Sequence, residues 1–136
     1  MNAGRFVGAG LAVWVVRTVL NWLFYGVLTQ AQMQQISDAH PGVFREVIPA
    51  FIITDLVAAL IIVLLFTKVG GALGGGVKGG VVLGLFVGIL APVLADVYIY
   101  FSMTVFTVGA TVADMAFQLV SHCIQGAIAG AVYKSA

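Results

Sequence analysis

The chain has 136 residues, of which 62% are hydrophobic and only 8% charged, and its mean hydropathy is +1.14. Soluble domains usually carry about 25% charged residues, so a water-soluble fold built from this composition would lack a surface. The formal net charge of +1, with six Lys and Arg scattered singly, excludes a nucleic-acid footprint.

A membrane-spanning helix takes roughly 20 apolar residues. The length therefore holds four spans and no extramembrane domain large enough for its own core. The expectation is a single all-α domain over residues 1–136, a four-helix transmembrane bundle with N and C termini cytoplasmic and spans near 6–28, 47–66, 81–106 and 111–133.

The first span opens after Arg5 and is interrupted by Arg17, with no small-residue cleavage site before Asn21. It reads as a mature span rather than a secretory signal. Trp14, Arg17, Asn21 and Tyr25 follow one another at helical spacing on one face. The connection from Thr29 to Phe44 carries Gln30, Gln32, Gln34 and Gln35, then Asp38, His40 and the Pro41-Gly42 break. It reads as a polar turn along the outer interface.

The second span contributes Thr54 and Asp55. After it, Gly70, Gly71, Gly74, Gly75 and Gly76 read as a flexible cytoplasmic linker. A phosphate cradle is not expected there, because no strand precedes the glycines and no Lys-Ser/Thr follows in register. The third span has Gly80, Gly84 and Gly88 at four-residue steps, then Pro92, Asp96 and Tyr100 at the same step. Pro92 removes a backbone donor mid-span and bends the helix. The fourth span carries Asp114, Gln118, His122 and Gln125 on one face, and Gly126 and Gly130.

Basic residues favour the cytoplasm. With four spans, Arg5, Lys68, Lys78 and Lys134 share one side, while Asp38, His40, Arg45, Glu46 and the turn near Gly109 share the other. The expected location is the bacterial cytoplasmic (inner) membrane. Lipid tails are as apolar as Leu, so helices associate through close backbone approach and hydrogen bonds. Gly80, Gly84, Gly88, Gly126 and Gly130 are the expected seams. Whether they join helices of one chain, two copies or a larger complex stays open.

A charge at the bilayer centre costs about 2.5 to 3.5 kcal/mol even on a lenient scale, so each intramembrane charge needs a partner. The simplest arrangement pairs Arg17 with Asp55 or Asp96, leaving a surplus of negative charge that a proton or a cation balances. The candidate ligand or ion pocket is Arg17, Asn21, Asp55, Asp96, Tyr100, Gln118 and His122, facing outward. It points to a small transport or channel-like protein for a proton, a cation or a small polar solute. The alternative is an accessory subunit of a larger membrane complex, with the polar stripe as a structural staple.

Other chemistry finds little footing. His122 and Cys123 point to different faces of their helix and do not build a metal site, and the second histidine, His40, lies in a loop and offers no haem pair. Ser121 adjoins His122 in sequence but does not face it, so no nucleophile and base assemble. Cys123 reads as an apolar filler. No cofactor is expected, and catalysis is unsupported.

Three segments resemble a family of small four-span bacterial membrane proteins catalogued as a domain of unknown function. They are Asn21-Trp-Leu-Phe-Tyr25-Gly-Val-Leu28, Gly80-Val-Val-Leu-Gly84-Leu-Phe-Val-Gly88, and His122 followed by Gly126-Ala-Ile128. Gly26-Val27 stands where the family has Ser-Pro. The resemblance implies the four-span architecture and leaves activity open.

Overall fold

The structure is a computed structural model that describes residues 2–44 and 48–133. All regular elements among the described residues are helices. They are α1 (Ala3–Leu28), α2 (Gln30–Ala39), α3 (Ile48–Val69), α4 (Gly76–Ser102) and α5 (Val108–Tyr133). Four of them, α1, α3, α4 and α5, are long and apolar enough to cross a membrane. Helices suit that solvent because every backbone group between their ends is satisfied within the segment. Arg45, Glu46 and Val47, where the second span was expected to begin, and Lys134 lie outside the described residues.

Boundaries differ most from expectation at two places. The third span starts at Gly76 rather than Val81 and ends at Ser102 rather than Phe106. The residues between Thr29 and Phe44, expected as a polar turn, contain α2, a helix with Met33 and Ile36 half-buried and Gln34 bonded to Asp38 at 2.9 Å. The Pro41-Gly42 break does end it, with Gly42 at φ 83°.

The run from Gly70 to Gly76 is a fixed turn rather than a flexible linker. Gly75 donates its N–H to the Gly70 carbonyl at 2.8 Å, and Gly70 donates to that of Phe66 at 2.8 Å. Gly74, Gly75 and Gly76 take φ of 102°, 65° and 50°, a region that side chains with a Cβ disfavour. The glycines are therefore what lets α3 reverse directly into α4.

Helices α1 and α3 run antiparallel, with Gly10 against Leu60 and Trp14 Nε1 donating to the Ile52 carbonyl at 3.2 Å. Helix α5 lies at the centre and touches all three other spans, whereas α4 packs chiefly on α5. That α4–α5 seam is built from glycine. A Cβ on Gly80 would fall on the Gly126 carbonyl oxygen, one on Gly126 on that of Gly80, one on Gly84 on that of His122, and one on Gly130 on that of Gly76. The two backbones are thus in direct contact, where dispersion and weak Cα–H···O contacts hold helices that hydrophobicity cannot. These glycines face each other inside one chain, so they are not exposed seams for a second copy or a larger complex.

Burial is uneven along the bundle. Ala9, Val13, Ala59, Ile62, Val63, Phe66, Leu83 and Ala129 form the core, all in the half that holds the glycine turn and the end of α5, where Phe66 meets Tyr133. The other half contains two π-helical stretches, Trp22–Leu28 in α1 and Ile89–Val93 around Pro92 in α4, and neither has a buried residue. The Pro92 stretch has a local cause, since its ring cannot accept an α-helical position without losing a hydrogen bond.

Candidate functional site

Polar side chains collect in two groups along the spans. The first centres on Asp55, whose residue is 8% exposed. Arg17 Nε donates to its Oδ1 at 2.7 Å, Asn21 Nδ2 donates to both oxygens at 3.0 and 3.2 Å, and the Thr18 hydroxyl donates to Oδ2 at 3.4 Å. Arg17 and Thr18 each lie one helical turn from Asn21, at i, i+4 and i, i+3, so all three donors reach Asp55 from the adjoining side of α1. The guanidinium turns its other edge to α5, where Arg17 NH1 donates to Gln125 Oε1 at 3.1 Å and lies 3.5 Å from His122 Nε2.

His122 has a defined tautomer in this setting. Its Nδ1 sits 2.8 Å from the Gln118 backbone carbonyl, which can only accept, so Nδ1 carries the hydrogen and Nε2 presents its lone pair to Arg17. Gln125, fully buried, passes its own amide hydrogen to Ser121 Oγ at 2.9 Å. Arg17, Asp55, Asn21, His122 and Gln125 therefore satisfy one another. Such a network fixes the register of α1, α3 and α5.

The second group lies nearer the α2 end. The Tyr25 hydroxyl donates to Asp114 Oδ1, and Gln118 Nε2 donates to the Tyr25 oxygen at 2.8 Å. Phe24 beside Tyr25 stacks on Phe117 with centroids 4.0 Å apart, which holds the end of α1 against α5. Asp96 comes from the turn of α4 that follows Pro92. Its Oδ2 is buried and meets no donor. Both carboxylates line a pocket of about 90 Å³, together with Phe24, Gln32, Met33 and Thr111 among others. The pocket exists because α4 leaves α5 after Gly88, and α2 covers the gap.

The expected site residues are thus divided. Arg17, Asn21, Asp55 and His122 belong to the closed midspan network, and Asp96 belongs to the pocket with Asp114. Of the two pairings open for Arg17, the structure takes Asp55. Gln118 joins the groups, with its side chain on Tyr25 and its carbonyl on His122. Tyr100 stands apart: its ring packs on Phe101 at 5.4 Å and borders a separate apolar groove with Val97 and Met115. The four-residue step from Asp96 to Tyr100 puts both on α4, but Tyr100 is not among the residues that line the Asp96–Asp114 pocket.

Asp114 and Tyr25 in the second group, and Gln125 and Thr18 in the first, are the members that the expected site omits. The signal for Asp114 and Tyr25 was present, in the stripe of Asp114, Gln118 and His122 on α5, and in Tyr25 at the end of the α1 stripe. Tyr25 nevertheless turns to α5, where its hydroxyl meets Asp114 and Gln118. Among the described residues, no group of three or more His, Cys, Asp or Glu gathers closely enough to hold a metal ion. No protein-family model, curated protein or solved structure matches the chain.

Proposed function

We propose that this is a small integral membrane protein of transport or channel-like type that takes up a proton or a small cation at the Asp96–Asp114 pocket. The observation that carries the reading is a charge imbalance: Arg17 is committed to Asp55, while the pocket holds two carboxylates and no basic side chain among its lining residues. Two carboxylates in a lipid-surrounded pocket need a compensating positive charge. In the orientation that the basic residues favour, with the termini in the cytoplasm of a bacterial cell, the pocket opens towards the outside.

A second reading is an accessory subunit of a larger membrane complex. It is favoured by the midspan network, whose charges and amides are satisfied internally as a staple would be. Proteoliposomes containing the purified protein and a trapped pH dye separate the two. The first reading expects proton flux, or cation-driven proton flux, that is lost in Asp96→Asn and Asp114→Asn and kept in the double variant Arg17→Met, Asp55→Leu. Flux that is absent in the native protein, with a partner that co-purifies in fixed ratio, would favour the second.

A further inference from the structure

The two carboxylates of the pocket are not equivalent. Gln118 donates its amide hydrogen into the Tyr25 oxygen at 2.8 Å, and a phenol has a single hydrogen of its own, which goes to Asp114 Oδ1. Flipping the amide would take that hydrogen for the Gln118 oxygen and leave the Tyr25 and Asp114 oxygens facing each other with nothing between them. With Asp114 ionised, the network therefore has one satisfied arrangement. His122 Nδ1 takes the Gln118 backbone carbonyl at 2.8 Å, which leaves the side-chain amide to Tyr25, and Phe117 next to Gln118 stacks on Phe24. Asp114 thus has a donor fixed from behind. Asp96 has none, and its buried Oδ2 is unpartnered.

We infer that Asp96 is the carboxylate that takes up and releases the proton or cation, while Tyr25, oriented by Gln118, holds Asp114 as the fixed anion of the pair. The inference rests on the uptake proposed above and assigns its parts. The groups that face Asp96 are few: Asp114 from α5, with Tyr25 from α1 behind it, and from α2 only Gln32 and Met33, which do not ionise. Arg17 and His122 reach the pair only through Gln118. Tyr25 and Gln118 are positioning residues, since they act on ligand uptake through Asp114.

Labelling with dicyclohexylcarbodiimide tests the assignment residue by residue. This reagent adds to carboxyl groups that carry a proton in apolar surroundings and stays attached as an N-acylurea, which peptide mass spectrometry locates. In the native protein in liposomes, label is expected on Asp96 in excess of Asp114 by about tenfold or more, the ratio that one hydrogen bond to a charged group sets. Tyr25→Phe removes the donor, and Gln118→Leu independently frees the hydroxyl to turn away. In both, the label should spread to Asp114, a redistribution that a purely structural role would not produce. Label mainly on Asp114 in the native protein, or an unchanged Asp96 preference in both variants, overturns the assignment and leaves uptake by the pair standing. Absence of label from both residues in the native protein overturns uptake itself and the inference with it.

Discussion

Replacing Asp55 by Leu perturbs the midspan network at its centre. The carboxylate accepts from Arg17, Asn21 and Thr18, and the Arg17 and Asp55 side chains are only 16% and 11% exposed. Neutral hydrogen bonds between membrane helices average about 0.6 kcal/mol, whereas breaking a buried ion pair from one side costs about 3 to 5 kcal/mol. The stranded guanidinium therefore dominates, and Asp55→Leu should destabilise by about 3 to 5 kcal/mol. Arg17→Met should cost less, because Asn21 and Thr18 still donate to the carboxylate. The double variant Arg17→Met, Asp55→Leu leaves no charge behind and should lie within about 1 kcal/mol of the native protein, a coupling that a double-mutant cycle reads directly. Reversible unfolding in mixed micelles with increasing dodecyl sulfate supplies the free energies. The reasoning is refuted if each single variant stays within about 1 kcal/mol of native, or if the double variant shows the sum of the two losses.

Other perturbations separate contact from conformation. Gly84→Ala and Gly126→Ala each drive a Cβ into a facing backbone carbonyl, which no side-chain rotation relieves, so each should destabilise by about 3 kcal/mol in the same unfolding assay. Gly8→Ala, on α1 with nothing near its Cβ position, should stabilise by about 0.5 to 1 kcal/mol. A loss at Gly8 equal to that at Gly84 would contradict the glycine seam. Trp14→Phe deletes the hydrogen bond to the Ile52 carbonyl and part of the indole that packs on the core, so its loss should exceed about 0.6 kcal/mol.

The spans and the polar residues within them are legible in the sequence because both follow from single-helix properties. Apolar length marks the spans, and the α-helical step puts Arg17 with Asn21, and Asp114 with Gln118 and His122, on common faces. What the sequence leaves undecided is which faces meet. The glycine rows of α4 and α5 pair with each other, and nothing in either row alone distinguishes that from pairing between copies. In the site, Tyr25 meets Asp114 and Gln118 of α5 rather than the Asp55 network, and α2 supplies Gln32 and Met33 to a pocket where a polar turn was expected. Pro92 was visible as a bend, but not the consequence that Asp96 would leave Arg17 to Asp55 and stand with Asp114 instead.

The central claim is that the Asp96–Asp114 pocket takes up a positively charged ligand, and any ligand bound only by the folded protein stabilises it. Once the ligand exceeds its dissociation constant, each tenfold increase should add about 1.4 kcal/mol to the unfolding free energy. The measurement is the unfolding midpoint as protons, sodium, potassium or methylammonium are raised, for the native protein and for the double variant Asp96→Asn, Asp114→Asn. The account predicts that at least one of these cations raises the native midpoint and leaves the variant unmoved. Native protein and variant following the same curve for all of them would contradict it.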